Sequence, residues 1–219
     1  MSRYDAVLLD AFGTLFELDR PYQRLQESLR RELAVERPLD RVEAAMLLEI
    51  ELYADRCHEA RDRASLNALE LDCAALIVRE LELHVTAQRA LEALAGAIRY
   101  TPFDDASPLL EGLRERGVPS AVVSNWDYAL EAVLDGLGLE ADVVVTSAQT
   151  GSAKPDRGIF AAALERLGVA AGRALHVGDT PDTDAAGARA AGVDVRIVDR
   201  GAPPRAATIG SLTAIFDLL

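Results

Sequence analysis

The sequence predicts an α/β fold: a doubly wound parallel sheet with an all-helical segment inserted after its first strand. Three observations predict it. A short apolar run near the start ends at Asp10, a stretch almost free of glycine follows, and apolar runs alternate with helical patterns from Pro102 onward. Strands and helices that alternate at this spacing are typical of a doubly wound parallel sheet.

The first element is the apolar run Ala6–Leu9, which stops at an acid and is followed by Gly13 and Thr14. A short, continuous apolar run of this kind predicts a strand that is buried on both faces. The glycine behind it predicts a tight turn, so we expect the side chain of Asp10 at the carboxyl end of a central strand.

The second region contains no glycine between residue 19 and Gly96, and it is rich in leucine, alanine, glutamate and arginine. Its apolar residues recur at intervals of three and four, which predicts four amphipathic helices and no strand. We therefore divide the chain into a sheet domain, residues 1–16 and 101–219, and a helical domain, residues 17–100. Cys57 and Cys73 lie in this helical sequence, and we expect buried thiols in a reducing compartment.

The remaining sequence consists of four helix–strand units, and each predicted helix ends at a glycine. The predicted helices are Ser107–Arg116, Tyr128–Leu137, Asp156–Leu167 and Thr183–Ala191, and the predicted strands are Ser120–Ser124, Val143–Val145, Ala174–Val177 and Val195–Val198.

The charge balance excludes some classes of partner. The net charge is −13, whereas nucleic-acid-binding proteins need a basic surface, so we expect no nucleic-acid partner. The apolar run Ala6–Leu9 is too short for a signal sequence or a membrane span, so we expect no membrane partner. We expect a cytoplasmic protein, a monomer or a homodimer, that acts on a small molecule.

Polar residues of complementary chemistry stand where predicted strands end or where the next helix begins. Asp10, Ser124 and Asp179 end strands, and Lys154 precedes a helix. Lys154 is the only lysine among 23 basic residues, the others being arginine. In an open parallel sheet, ligands bind beyond the carboxyl ends of the strands. Clustered carboxylates with an ammonium predict a site for Mg²⁺ and a phosphorylated substrate.

These segments resemble the four motifs of the haloacid dehalogenase (HAD) superfamily of hydrolases. The sequence Asp10-Ala-Phe-Gly-Thr-Leu is similar to the nucleophile motif, and Ser124-Asn125 to the phosphate-binding motif. Lys154-Pro155-Asp156 is similar to the third motif, and Gly178-Asp179 with Asp184 to the acidic fourth motif. The resemblance implies a Rossmann-like core, and the inserted helices resemble the helical cap of this superfamily.

The resemblance also implies roles for individual residues. Asp10 would be the nucleophile, and Lys154 would neutralise charge on it and on the phosphoryl group. The metal ligands would be Asp10, Asp179 and the backbone carbonyl of Phe12, with Asp184 nearby. The substrate would be held by Ser124, the backbone amide of Asn125, and Thr14, which anchors the turn.

One position departs from the phosphatases of the superfamily, which carry an acid two residues after the nucleophile, where this chain has Phe12. Three hypotheses remain open. The first is a Mg²⁺-dependent phosphatase that uses good leaving groups or a cap residue such as His58 as its acid. The second is a metal-independent 2-haloacid dehalogenase, because halide leaves without a proton. The third is a weakly active or non-catalytic protein that binds phosphometabolites. We interpret His176 as a core histidine with a backbone partner.

Overall fold

The computed structural model describes residues 3–201 and 207–219. Six parallel strands form one sheet in the order β5-β4-β1-β6-β7-β8. Their bounds are Ala6–Leu9 (β1), Ser120–Ser124 (β4), Val143–Thr146 (β5), Ala174–Gly178 (β6), Asp194–Val198 (β7) and Thr208–Ile209 (β8). Two further strands, Phe16–Leu18 (β2) and Tyr100–Pro102 (β3), form a separate two-stranded sheet. The predicted doubly wound fold is confirmed.

The sheet-containing unit comprises Met1–Glu17 and Pro102–Leu219. Its helices are Ala106–Glu115 (α5), Leu130–Leu137 (α6), Ser147–Thr150 (α7), Arg157–Leu167 (α8) and Ala186–Ala190 (α9). Short turns of other helical types are Ala171–Arg173, Pro181–Ala185 and Leu212–Leu218. Strand β1 lies between β4 and β6, which is where the strand order reverses.

The other unit, Leu18–Thr101, is helical. It contains Pro21–Leu33 (α1), Leu39–Arg56 (α2), Arg63–Glu80 (α3) and Ala87–Ala97 (α4), with a single 3₁₀ turn at Cys57–Glu59. Neither cysteine forms a disulfide, and both are buried. Within the described ranges, none of the helices combines the length and the apolar composition that crossing a bilayer requires.

Local chemistry explains where several helices begin and end. Helix α3 begins with a reciprocal capping box between Asp62 and Ser65, and the side chain of Asp156 accepts a 2.6 Å bond from the first turn of α8. Helices α6 and α8 end at Gly138 and Gly168, whose φ angles of 69° and 68° favour glycine.

Several details differ from the prediction. Helix α6 begins two residues late because the Asp127 carboxylate accepts a bond from the amide of Ala129 and forms a turn first. The predicted helix Thr183–Ala191 is instead a π-helical turn, Pro181–Ala185, followed by α9. Strands β2, β3 and β8 have only two or three residues, too few to produce a recognisable alternation.

One part of the core of the sheet-containing unit lies between the sheet and helices α8 and α9. Fully buried side chains from the strands and from α8 form one apolar cluster, which includes Leu8, Val123, Phe160 and Ala163. This packing fixes β1, β4 and β6 side by side, so the residues that follow these strands emerge at one edge of the sheet.

Candidate active site

Asp10 directly follows β1 and is almost completely buried, with 5% of its surface exposed. Its backbone amide donates to the carbonyl of Val177 at 2.9 Å, which ties the end of β1 to β6. Its Oδ1 atom accepts a 3.0 Å bond from the hydroxyl of Ser124, the last residue of β4. The ammonium of Lys154 donates to the same oxygen. Two sequence-predicted residues therefore contact the predicted nucleophile.

Lys154 is buried, with 6% of its surface exposed, and its position depends on Asn125. The Asn125 side chain accepts from the Lys154 amide at 2.6 Å and donates to the Lys154 carbonyl at 2.9 Å. The lysine ammonium donates to Asp184 Oδ1 at 2.7 Å as well as to Asp10. The Asn125 side chain thus holds the lysine loop, a role that sequence reasoning had not assigned to it.

Both carboxylate oxygens of Asp184 are engaged. Oδ1 contacts Lys154 and His176 Nε2, the latter at 2.9 Å, and Oδ2 accepts from the Thr180 amide at 3.1 Å. The prediction that His176 has a backbone partner is therefore wrong, because its partner is the side chain of Asp184. The turn Pro181–Ala185 folds back over the end of β6 and brings the Asp184 side chain to the histidine ring.

Asp179 follows β6 directly and is partly exposed. Gly13, with a φ angle of 80°, faces it so closely that a Cβ atom on residue 13 would lie 2.4 Å from Asp179 Oδ2. Only glycine fits here, because the position combines a left-handed backbone with contact to a side chain. The turn after Asp10 is therefore packed against this acid.

Asp10, Asp179 and Asp184 each offer a carboxylate oxygen, and these oxygens lie within 4.8 Å of one another. Hard oxygen donors of this kind suit Mg²⁺. Three carboxylates face a single ammonium, which leaves an excess of negative charge that a divalent cation would offset. The residues present therefore fit a magnesium ion.

The pKa values reflect the same imbalance of charge. Burial raises the pKa of Asp10, an effect that the Lys154 ammonium opposes. Burial and the carboxylates of Asp10 and Asp184 raise the pKa of Asp179 to about 6. Although burial would raise the pKa of Asp184, its bond with His176 and the charge of Lys154 outweigh that effect and lower it. Although burial would lower the pKa of Lys154, its two carboxylate partners raise it.

The turn that follows Asp10 is held from outside by Arg200. Its guanidinium donates to the carbonyls of Gly13 at 3.3 Å and Thr14 at 2.9 Å, and to Asp105 at 2.7 Å. It also lies 3.7 Å from the centre of the Phe103 ring. Sequence reasoning missed Arg200, because one arginine among 22 on no recognisable motif carries no signal.

Thr14 is fully buried, and its hydroxyl has no hydrogen-bond partner among the residues that the structure describes. Its amide donates to the carbonyl of Ala11 at 3.3 Å, so the residue is part of the tight turn. His58 lies in the 3₁₀ turn of the helical unit and is partly exposed, and its predicted role in substrate binding stays a prediction.

Aromatic rings form the other side of the site. Phe12 is 38% exposed. Its ring centre lies 6.3 Å from that of Phe16 and 6.3 Å from that of Trp126, and the rings of Phe16 and Trp126 are 5.6 Å apart. The residue two positions after Asp10 therefore belongs to an apolar cluster and offers no side-chain proton donor.

Comparison with known proteins places these features in context. Residues 4–192 match the family model of haloacid dehalogenase-like hydrolases. The chain is 30% identical over 229 residues to a phosphatase of Mycobacterium tuberculosis, an alignment that covers 98% of this chain and 96% of the relative. It is 39% identical over 119 residues to haloacid dehalogenase-like hydrolase domain-containing protein 3 of Mus musculus, covering 53% of this chain and 47% of that protein.

The chain spans about half the length of that mouse protein and of several other curated relatives. Among solved structures, an L-2-haloacid dehalogenase has a TM-score of 0.74 at 22% sequence identity, covering 99% of this chain and 98% of the dehalogenase. At this identity, the structural likeness shows the fold alone.

Proposed function

The chain belongs to the haloacid dehalogenase-like hydrolase family, and from that premise we propose that it is a Mg²⁺-dependent phosphatase of a small phosphorylated metabolite. The observation that carries the proposal is the buried ammonium of Lys154, which bonds to both Asp10 and Asp184 beside a third acid, Asp179. Nearly the whole chain aligns with a phosphatase of Mycobacterium tuberculosis, and this similarity supports the proposed phosphatase reaction.

The metal would be held by Asp10, Asp179 and the backbone carbonyl of Phe12. Asp184 already uses both of its oxygens on Lys154, His176 and Thr180, so its contribution would be to orient the lysine. When bound, Mg²⁺ would supply Lewis-acid polarisation of the phosphoryl oxygens and offset the charge of the acidic cluster.

The reaction would begin with attack of an Asp10 oxygen on phosphorus, in line with the bond to the leaving oxygen. The phosphorus–oxygen ester bond breaks, its electron pair leaves with the alcohol or phenol oxygen, and Asp10 carries the phosphoryl group. The Ser124 hydroxyl and the backbone amide of Asn125 would donate to the phosphoryl oxygens, and Lys154 would offset their charge. Water then hydrolyses the aspartyl phosphate and restores the Asp10 carboxylate.

The leaving oxygen must acquire a proton or depart as an anion. Phe12 occupies the position from which an acid would supply that proton, and it lies among Phe16 and Trp126. General acid catalysis typically contributes about 10²–10⁴-fold in rate. We therefore expect substrates whose leaving groups are stable as anions to be hydrolysed faster than simple alkyl phosphates.

The aromatic residue at position 12 also favours a second candidate, a 2-haloacid dehalogenase that forms an aspartyl ester at Asp10. Halide leaves without a proton, so this reaction needs no acid at that position. The three clustered carboxylates argue against a metal-independent reaction, because a bound cation would offset their excess negative charge. A protein that binds phosphometabolites with little turnover is the third candidate.

The deciding experiment is hydrolysis of p-nitrophenyl phosphate with and without EDTA, with Asp10→Asn as the control variant. We expect Mg²⁺ removal to lower the rate by about 10³-fold, because a metal supplies several kcal/mol of transition-state stabilisation. Adding Mg²⁺ back should restore the rate, and Asp10→Asn should be inactive throughout.

The other candidates have their own outcomes. Hydrolysis that EDTA leaves unchanged would contradict the metal-dependent phosphatase. Halide release from L-2-chloropropionate without metal would establish the dehalogenase. Mg²⁺-dependent binding of a phosphate ester with neither activity would indicate the binding protein.

A further inference from the structure

His176 is a buried polar residue in an apolar environment. It is the third residue of β6, and its neighbours across the sheet are Leu8 on one side and Val195 on the other. None of its surface is exposed. Its ring packs in a T-shaped arrangement against Phe160 of α8, with ring centres 5.0 Å apart. A leucine would suit these surroundings better, so a specific interaction must account for the imidazole.

That interaction is the bond between His176 Nε2 and Asp184 Oδ1. The Asp184 carboxylate already accepts bonds from Lys154 and Thr180, so it acts here as an acceptor and Nε2 carries the proton. The other ring nitrogen, Nδ1, is buried without a hydrogen-bond partner among the described residues. An unsatisfied buried polar atom typically lowers the free energy of unfolding by about 1–3 kcal/mol, so a histidine at this position costs stability.

The bond to His176 acts on the predicted nucleophile through two further contacts. Asp184 Oδ1 is shared between His176 and Lys154, and the lysine ammonium also donates to Asp10. The side chains therefore form a continuous buried chain from the centre of β6 to the end of β1. Removing His176 would leave Oδ1 with Lys154 alone and free the carboxylate to turn about its bond to Thr180.

We propose that His176 is a positioning residue for the hydrolytic reaction. It fixes the orientation of the Asp184 carboxylate, which holds the Lys154 ammonium on Asp10. This inference deepens the proposed phosphatase function and rests on it for its kinetic consequences. The hydrogen bond itself is independent of which substrate the site accepts.

The first test is the nitrogen NMR spectrum of the ¹⁵N-histidine-labelled chain at neutral pH. The sequence has three histidines. The set of signals that disappears from the spectrum of His176→Gln belongs to His176. We expect Nε2 of His176 to carry a proton protected from exchange with solvent and Nδ1 to carry none. A proton on Nδ1 alone would overturn the proposal, whatever the enzyme's activity.

The second test compares variants that keep or remove the donor. His176→Leu should lower kcat for p-nitrophenyl phosphate by about 10-fold or more, as loss of a residue supporting a functional side chain commonly does. KM should change by less than about twofold, because the interaction is not with the substrate. His176→Gln, whose amide reaches the Nε2 position, should recover most of kcat. His84→Leu, at an exposed position of the helical unit, is the matched control.

Thermal unfolding of each variant separates positioning from folding. If His176→Leu does not fold, His176→Asn replaces it, since its amide reaches only the Nδ1 position. Equal loss of kcat in folded His176→Leu and His176→Gln would overturn the proposal. If the wild-type chain hydrolyses no phosphate ester, the proposed function fails, and the nitrogen spectrum still decides the assignment of His176.

Discussion

The two sides of the site around Asp10 are built on opposite principles. On the polar side, Asp10, Ser124, Lys154 and Asp184 are buried and joined by charged hydrogen bonds. On the aromatic side, Phe12, Phe16 and Trp126 contact one another, and Phe12 is 38% exposed. The polar side fixes the charges that would act on a phosphoryl group. In the proposed reaction, the aromatic side would leave the departing group without a proton donor.

This difference indicates that the two sides can be altered separately. A change on the polar side disturbs buried charges, whose loss of a partner is costly in a low-dielectric environment. A side chain at position 12 is partly exposed to solvent and otherwise contacts neighbouring rings, so a polar substitution is tolerated there more easily.

Lys154→Arg should have the largest effect. A single ammonium donates to Asp10 and Asp184, whereas a larger planar guanidinium cannot take the same place between them. Removing a well-placed electrostatic donor typically costs about 10²–10³-fold in kcat. Arg157→Lys, at an exposed position nearby, is the control and should behave as wild type. Wild-type turnover in Lys154→Arg would show that any cation suffices.

Phe12→Asp should have a smaller effect of the opposite sign. An acid at this position supplies the missing proton donor, so kcat/KM for an alkyl phosphate should rise by about 10-fold or more relative to p-nitrophenyl phosphate. Phe12→Leu removes the ring without adding an acid and should leave that ratio unchanged. Equal changes for both substrates would contradict the missing-acid argument.

Arg200→Gln should have the smallest effect, because Arg200 supports the turn from its outer side. It removes bonds to the carbonyls of Gly13 and Thr14 and an ion pair with Asp105 that is partly exposed. We expect Tm to fall by about 2–4 °C, which corresponds to about 1 kcal/mol in a chain of this size. Arg114→Gln, which breaks an exposed pair with Glu140, should leave Tm unchanged.

Most of the fold could be predicted from the sequence because its signals are local. Apolar runs such as Ser120–Ser124 and glycines such as Gly138 and Gly168 mark strand and helix ends without reference to the rest of the chain. The two- and three-residue strands could not be predicted. Their residues pair through backbone contacts that leave no periodic pattern.

Some contacts of the candidate site could be predicted from the sequence, and others could not. The meeting of Asp10 and Ser124 follows from the rule that parallel strands end at one edge, and Lys154 lies in the connection between β5 and α8 that leaves the sheet at the same edge. The bond between His176 and Asp184 does not follow from that rule, since it depends on a turn that folds back over β6. Arg200 was also beyond prediction, because it contacts backbone carbonyls that any sequence would present.

The burial of the only lysine has a practical consequence for handling this protein. Reagents that acylate primary amines, such as succinimidyl ester dyes, would find no accessible side-chain amine, because Lys154 is 6% exposed and held between two carboxylates. Such reagents would therefore leave the residues around Asp10 unmodified.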